Sequence, residues 1–249
     1  MKSSCFSCSR SSALRCFLAA TATVVALVSH TALQAGEPAT AAELMKQAHD
    51  GRAEWQNFPG FEARLRVSAD GMTAEGSISV DRDGTVKITL PDAARFAWAQ
   101  RPLDSMIGHR LPTGEAISDV EFADDQVDHP HGRLLRSADP KDKTLWRVKG
   151  DVLTEVHRAA ENSRFTISIA DVQRTPEGKH LPANFIVTTW ELPSERLKSV
   201  RQVHQEWRRL NGVDLPTSYL AISNRSDGTT TSQQIELFDH RVPLASAAR

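Results

Sequence analysis

The residues best suited to chemistry fall in one short stretch, Asp124-Asp125-Gln126-Val127-Asp128-His129-Pro130-His131. Imidazole and carboxylate together suit zinc or a similar divalent ion. His129 and His131 are two positions apart, so on a strand both would point the same way and could share an ion with Asp128. His109 or His157 could supply a further ligand from elsewhere in the fold. Such a set would make a metal-assisted hydrolase. The same residue types are also ordinary material for an exposed acidic loop. His157, between Val156 and Arg158 on an expected strand, reads either as a general base or as a satisfied sheet histidine.

The well-marked routes to catalysis are missing from the sequence. There is no G-x-S-x-G elbow, P-loop, dinucleotide glycine fingerprint or H-E-x-x-H helix. The three cysteines, Cys5, Cys8 and Cys16, all sit near the start of the chain. That start has the layout of a secretory leader. Lys2, Arg10 and Arg15 precede an apolar run over 16–28, and Thr31-Ala32-Leu33-Gln34-Ala35 supplies a small-residue exit. The apolar run is too short and wrongly flanked for a membrane span, and no later stretch approaches the length needed. Cleavage near Ala35 would remove every cysteine, and with them any thiol nucleophile or disulfide. The expected product is exported, periplasmic or extracellular.

The net charge of −1 becomes more negative once three basic residues leave with the leader. A mildly acidic chain offers no electrostatic case for nucleic acid or an anionic membrane surface. No cofactor and no catalytic residue is expected.

Stepping along the chain, 1–35 reads as the leader, 36–40 as a flexible lead, 41–240 as one antiparallel β domain with inserted helices, and 241–249 as a flexible tail. Thr40 followed by Glu43 has capping-box spacing and predicts a helix over 41–55, with Leu44, Ala48 and Trp55 on one face. Phe58-Pro59-Gly60 ends it. Over 61–90, apolar and polar residues alternate in three runs separated by Asp70-Gly71 and Asp83-Gly84. Asp and Gly tolerate the positive φ of tight hairpins, so this is a three-stranded meander. A helical stretch is expected over 92–109, carrying Ala93, Ala94, Phe96 and Trp98, with Pro102 ending or kinking it. Strands are expected over 117–122, near Leu134-Leu135, and through most of 145–238. The 197–210 stretch fits either period, and Asn211-Gly212 after it favours a strand.

Two stretches resemble a known family. Leu44, Ala48, Arg52, Trp55, Phe58-Pro59-Gly60-Phe61 and Ala63 resemble the opening of an uncharacterised family catalogued as domain of unknown function 3386. Arg147 with Val156-His157-Arg158 gives a second match. The resemblance implies a shared domain over most of the chain after the leader, and it brings no activity and no catalytic residue. The expected architecture is also similar to periplasmic lipoprotein carriers and related lipid-binding proteins, in which a curved antiparallel sheet wraps helices around an apolar cavity.

The fold expected is therefore mainly β (α+β): a curved antiparallel sheet of about nine to eleven strands wrapping one or two helical segments. One face of the meander is apolar and must be covered, and the 93–98 segment is the early element able to cover it. That places an expected apolar ligand site among Leu65, Ile78, Ile88, Phe96 and Trp98. The five tryptophans could line such a cavity or fill a core. Two functions stand beside each other at this point. One is a non-enzymatic carrier or binding module for an apolar small molecule, a lipid or a protein partner on the concave face. The other is the metal-assisted hydrolase at Asp128, His129 and His131.

Overall fold

Thr40 caps the first helix, α1 (Ala41–Gly51). The Glu43 backbone N–H donates to the Thr40 hydroxyl at 3.1 Å, and the Thr40 N–H donates to the Glu43 carboxylate at 3.0 Å. Both orphan donors of the first turn are thereby satisfied. The computed structural model describes residues 40–112, 114 and 117–243. The leader at 1–35 with its cleavage point, most of the lead at 36–40 and most of the tail at 241–249 lie outside the described residues. Helix α1 ends at Gly51, short of the expected residue 55. Trp55 instead stacks on Phe58 in the following segment, ring centroids 4.3 Å apart.

Twelve strands follow: β1 (Phe61–Ala69), β2 (Met72–Val80), β3 (Val86–Thr89), β4 (Val120–Phe122), β5 (Arg133–Ser137), β6 (Leu145–Lys149), β7 (Val152–Ala160), β8 (Ser163–Arg174), β9 (His180–Glu191), β10 (Leu197–Leu210), β11 (Val213–Arg225) and β12 (Thr230–Arg241). They form one antiparallel sheet in the order β3-β2-β1-β12-β11-β10-β9-β8-β7-β6-β5-β4. The Asp-Gly and Asn-Gly signals set register as expected. Ala69 pairs with Met72 across Asp70-Gly71, and Leu210 pairs with Val213 across Asn211-Gly212.

The expected curved sheet of nine to eleven strands wrapping its helices is corrected by this order. The sheet is open, neither curled nor closed, and β3 and β4 are its two unpaired edges. Both edges are short, which limits the row of free backbone groups they expose. The sheet has no need to wrap because its apolar face is covered piecewise. Helix α1 packs beside β4, β6 and β7, while the second helix, α2 (Gln100–Gly108), packs beside β3 at the other end of the strand order.

The second helical segment also differs from expectation. Ala93 and Ala94 lie exposed in turns, Asp92 has φ +53°, and only a 3-10 turn (Ala97–Ala99) precedes α2. Pro102 starts the helix rather than ending it. It sits in the first turn, where the N–H it lacks would have had no partner. Cover for the meander therefore comes from Leu103, Met106 and Ile107 of α2, with Phe96 and Trp98, and not from a 93–98 helix.

Two hydrophobic clusters result. The larger joins β1, β2, β10, β11 and β12 to α2 and to the 53–58 segment. The smaller joins α1 to Leu135, Trp146 and Val148. Both helices lie on the same face of the sheet, because opposed residues in an antiparallel pair share a face. Following one row of partners leads from Trp146 through Val156, Ile167, Val187 and Arg201 to Ser223.

Candidate functional site

The histidine loop joins β4 to β5. Asp128 is exposed and takes no part in the hydrogen bonding below. His129 and His131 do not lie on a strand. Their rings meet edge to face at 5.7 Å, and His129 Nδ1 accepts the backbone N–H of His131 at 3.1 Å. His131 Nδ1 lies 2.7 Å from Glu155 Oε1, and His157 Nε2 lies 3.1 Å from Glu155 Oε2. The other nitrogen of His157 is 3.0 Å from the Thr166 hydroxyl. Arg147 sits 3.4 Å from both Glu155 and Asp124. Burial works to raise the Glu155 pKa, but the hydrogen bonds and charges of His131 and His157 outweigh it and hold the carboxyl below its usual range.

These contacts engage Nδ1 of His129 and of His131 and both nitrogens of His157. His109, the other expected ligand, caps α2, its Nδ1 lying 2.7 Å from the Ser105 carbonyl oxygen. Among the described residues no group of three or more His, Cys, Asp or Glu is placed to hold a metal ion. The network instead clamps the acidic loop onto β7. Glu155 is its centre and was not singled out by sequence, because its partner His131 comes from a loop that only the fold brings alongside.

Leu65, Ile78, Ile88, Phe96 and Trp98 do come together, all within the larger cluster. Ile78 and Ile88 are opposed on β2 and β3. Leu65, Ile78 and Phe96 are buried, and Ile88 and Trp98 are partly so. As placed, their neighbours are the side chains of α2 and of the adjacent strands.

The apolar surface left without such cover lies between the two clusters. Val156 belongs to the edge of the α1 cluster, and Phe185 and Val203 belong to the α2 cluster. Ile167 stands opposite Val156 on one side and Val187 on the other, while Ile169 stands opposite Phe185. All therefore share the helix-bearing face. Phe165, Ile167, Ile169 and Val187 are half-buried and, among the described residues, belong to neither cluster. The 165–169 alternation was visible in sequence. What it could not show was which strands would stand beside it and where the helices would stop.

Buried polar groups meet at the start of β9. The Ala53 N–H donates to the His180 carbonyl at 2.9 Å, and Arg110 donates to the Ala53 carbonyl at 3.0 Å. Arg110 also lies over the Trp207 ring, 5.8 Å from its centroid. Burial, assisted by Arg52 and opposed by Glu54, lowers the Arg110 pKa to about 10. Burial likewise lowers His180 to about 4, so its imidazole is neutral at physiological pH. The opposite, bare face carries a shallow groove of about 310 Å³ lined by Ile186, Gln202, His204, Leu220 and Ile222.

A family model described as a protein of unknown function, DUF3386, matches residues 37–242. No curated protein matches. Among solved structures, a LolA superfamily protein from Nitrosomonas europaea is similar at 8% identity and a TM-score of 0.28, over 84% of this chain and 96% of that one. A DUF1329 family protein from Desulfovibrio piger is similar at 8% identity and a TM-score of 0.28, over 83% of this chain and 93% of that one. Likeness at this level transfers neither ligand nor activity. Among the described residues no helix is long and apolar enough to cross a membrane.

Proposed function

We propose that this chain, which belongs to the DUF3386 family of proteins of unknown function, is an exported, non-enzymatic binding protein that holds an apolar small molecule between its two cores. The observation that carries this reading is the row Phe165, Ile167, Ile169 and Val187 on the helix-bearing face, flanked by packed clusters and part of neither. An apolar strip a few strands wide, walled by packed elements on both sides, has the form of a small-molecule site. Export is supported by the charged, apolar and small-residue succession over 1–35 and by a family match that begins just after it, at residue 37. A binding role rather than catalysis is supported by His131 and His157, which Glu155 and Thr166 tie into a network that anchors the loop.

The test is a titration of the purified protein with a fluorescent fatty-acyl probe. Saturable binding is expected, and Ile167→Asp should abolish it by placing a charge in the strip. A wild-type protein with no saturable binding would overturn the reading.

A further inference from the structure

Two arginines meet the strip on the same face, and a third stands on α2. Arg201 of β10 stands opposite Val187, and Arg158 of β7 stands opposite Phe165. Arg101 projects from the first turn of α2 and is exposed. None of the three forms an ion pair among the described residues, whereas Arg64, Arg66, Arg136, Arg164, Arg174 and Arg209 on other surfaces all do. The sole acids of β7 and β10 cannot serve, because Glu155 and Glu206 point to the bare face: Glu155 neighbours Val156, and Glu206 neighbours the core-facing Gln205.

Arg201 is held in place. Its Nε donates to the buried Ser223 hydroxyl at 3.0 Å, and the guanidinium also reaches the Tyr219 phenol as a hydrogen-bond partner. Beside it lies the buried Tyr219 phenol, on which the charges of both Arg201 and Arg101 act. Arg201 thus stands beside a buried phenol at the margin of an apolar surface, and among the described residues no carboxylate pairs with it. A guanidinium fixed in this way still has outer N–H groups able to pair with a carboxylate or phosphate.

We infer that the ligand is an amphipathic anion, its acyl chain lying on Ile167, Ile169 and Val187 and its carboxylate or phosphate head held by Arg201. The inference rests on the reading of the strip as an apolar ligand site. Arg201 supplies head-group selectivity, and the strip supplies chain binding without regard to head group.

Displacement of the acyl probe by dodecanoate, dodecyl phosphate, dodecanol and dodecyltrimethylammonium separates the two. Dodecanoate and dodecyl phosphate should bind at least about tenfold tighter than dodecanol, the cost of losing a hydrogen bond to a charged group. Arg201→Met should remove that preference while leaving dodecanol affinity unchanged, and Arg201→Lys should restore part of it. Equal affinity for dodecanoate and dodecanol, or preference for the cation, overturns the head-group site while leaving the apolar site standing. Binding of none of the four overturns both. Preference that survives Arg201→Met overturns this assignment.

Discussion

Ile167 and Val187 stand directly opposite one another on β8 and β9, at the centre of the sheet and outside both hydrophobic clusters. Strand pairing alone fixes them there. Their side chains are not enclosed by either helix, so they contribute little to folding for residues of their size.

That contrast is measurable. Leu65→Ala removes a fully buried side chain packed beneath α2 and should cost about 2–5 kcal/mol. Ile167→Ala should cost about 1 kcal/mol or less, since the side chain is half exposed already. Urea unfolding of the two variants checks this. Equal losses would mean that the strip is core.

The loop clamp yields a second expectation. Arg147 and Glu155 are 13% and 14% exposed, so removing the Glu155 charge leaves the guanidinium with Asp124 at 3.4 Å as its remaining ion pair, beside its 3.0 Å hydrogen bond to the Gly132 carbonyl. Glu155→Gln should destabilise by about 1–3 kcal/mol and speed proteolysis within residues 123–132. Asp128→Asn, at an exposed loop position, should do neither. Cleavage at an unchanged rate in Glu155→Gln would show that the clamp holds nothing.

Metal should have no effect on folding. Adding stoichiometric zinc, or removing metal with a chelator, is expected to leave the melting temperature unchanged, because among the described residues no group of three or more His, Cys, Asp or Glu is placed to hold an ion. A rise of several degrees with zinc would point back to the hydrolase reading.

His180 predicts a pH dependence with a definite sign. Its pKa falls to about 4 in the fold, chiefly through burial, with Arg174, Arg110 and Arg52 adding to the shift and Asp151 opposing it. The unfolded chain, near 6.5, binds the proton more readily. The stability contribution is therefore complete above about pH 6.5 and is lost as pH falls through about 4, amounting to about 3 kcal/mol. His180→Gln should flatten the stability profile over that window. Losses at still lower pH would remain, since Asp151 and Glu155 have lowered pKa values of their own. An unchanged profile in the variant would exclude His180 as the source.

Sequence made local pairings legible and long-range ones opaque. Thr40 with Glu43, and the turns at Asp70-Gly71 and Asn211-Gly212, are short-range signals whose geometry is dictated within four residues. The reading of 197–210 as a strand matches β10 at both ends. Pro102 misled because its effect depends on whether it stands inside a helix or in its first turn. The strip was hidden for another reason. Alternation marks Phe165, Ile167 and Ile169 as one face, but only the order β7-β8-β9-β10 shows that this face lies between two helices rather than under one. The expected curl failed likewise: an apolar face predicts cover, not whether the sheet or its helices provide it.

The most direct measurement is a methyl-resolved NMR titration of the isoleucine- and valine-labelled protein with dodecanoate. The account predicts saturable shifts at Ile167, Ile169 and Val187, with Ile78 and Ile235 in the core unmoved. Shifts confined to Ile186 and Ile222 in the bare-face groove, or no saturable shift anywhere, would contradict it.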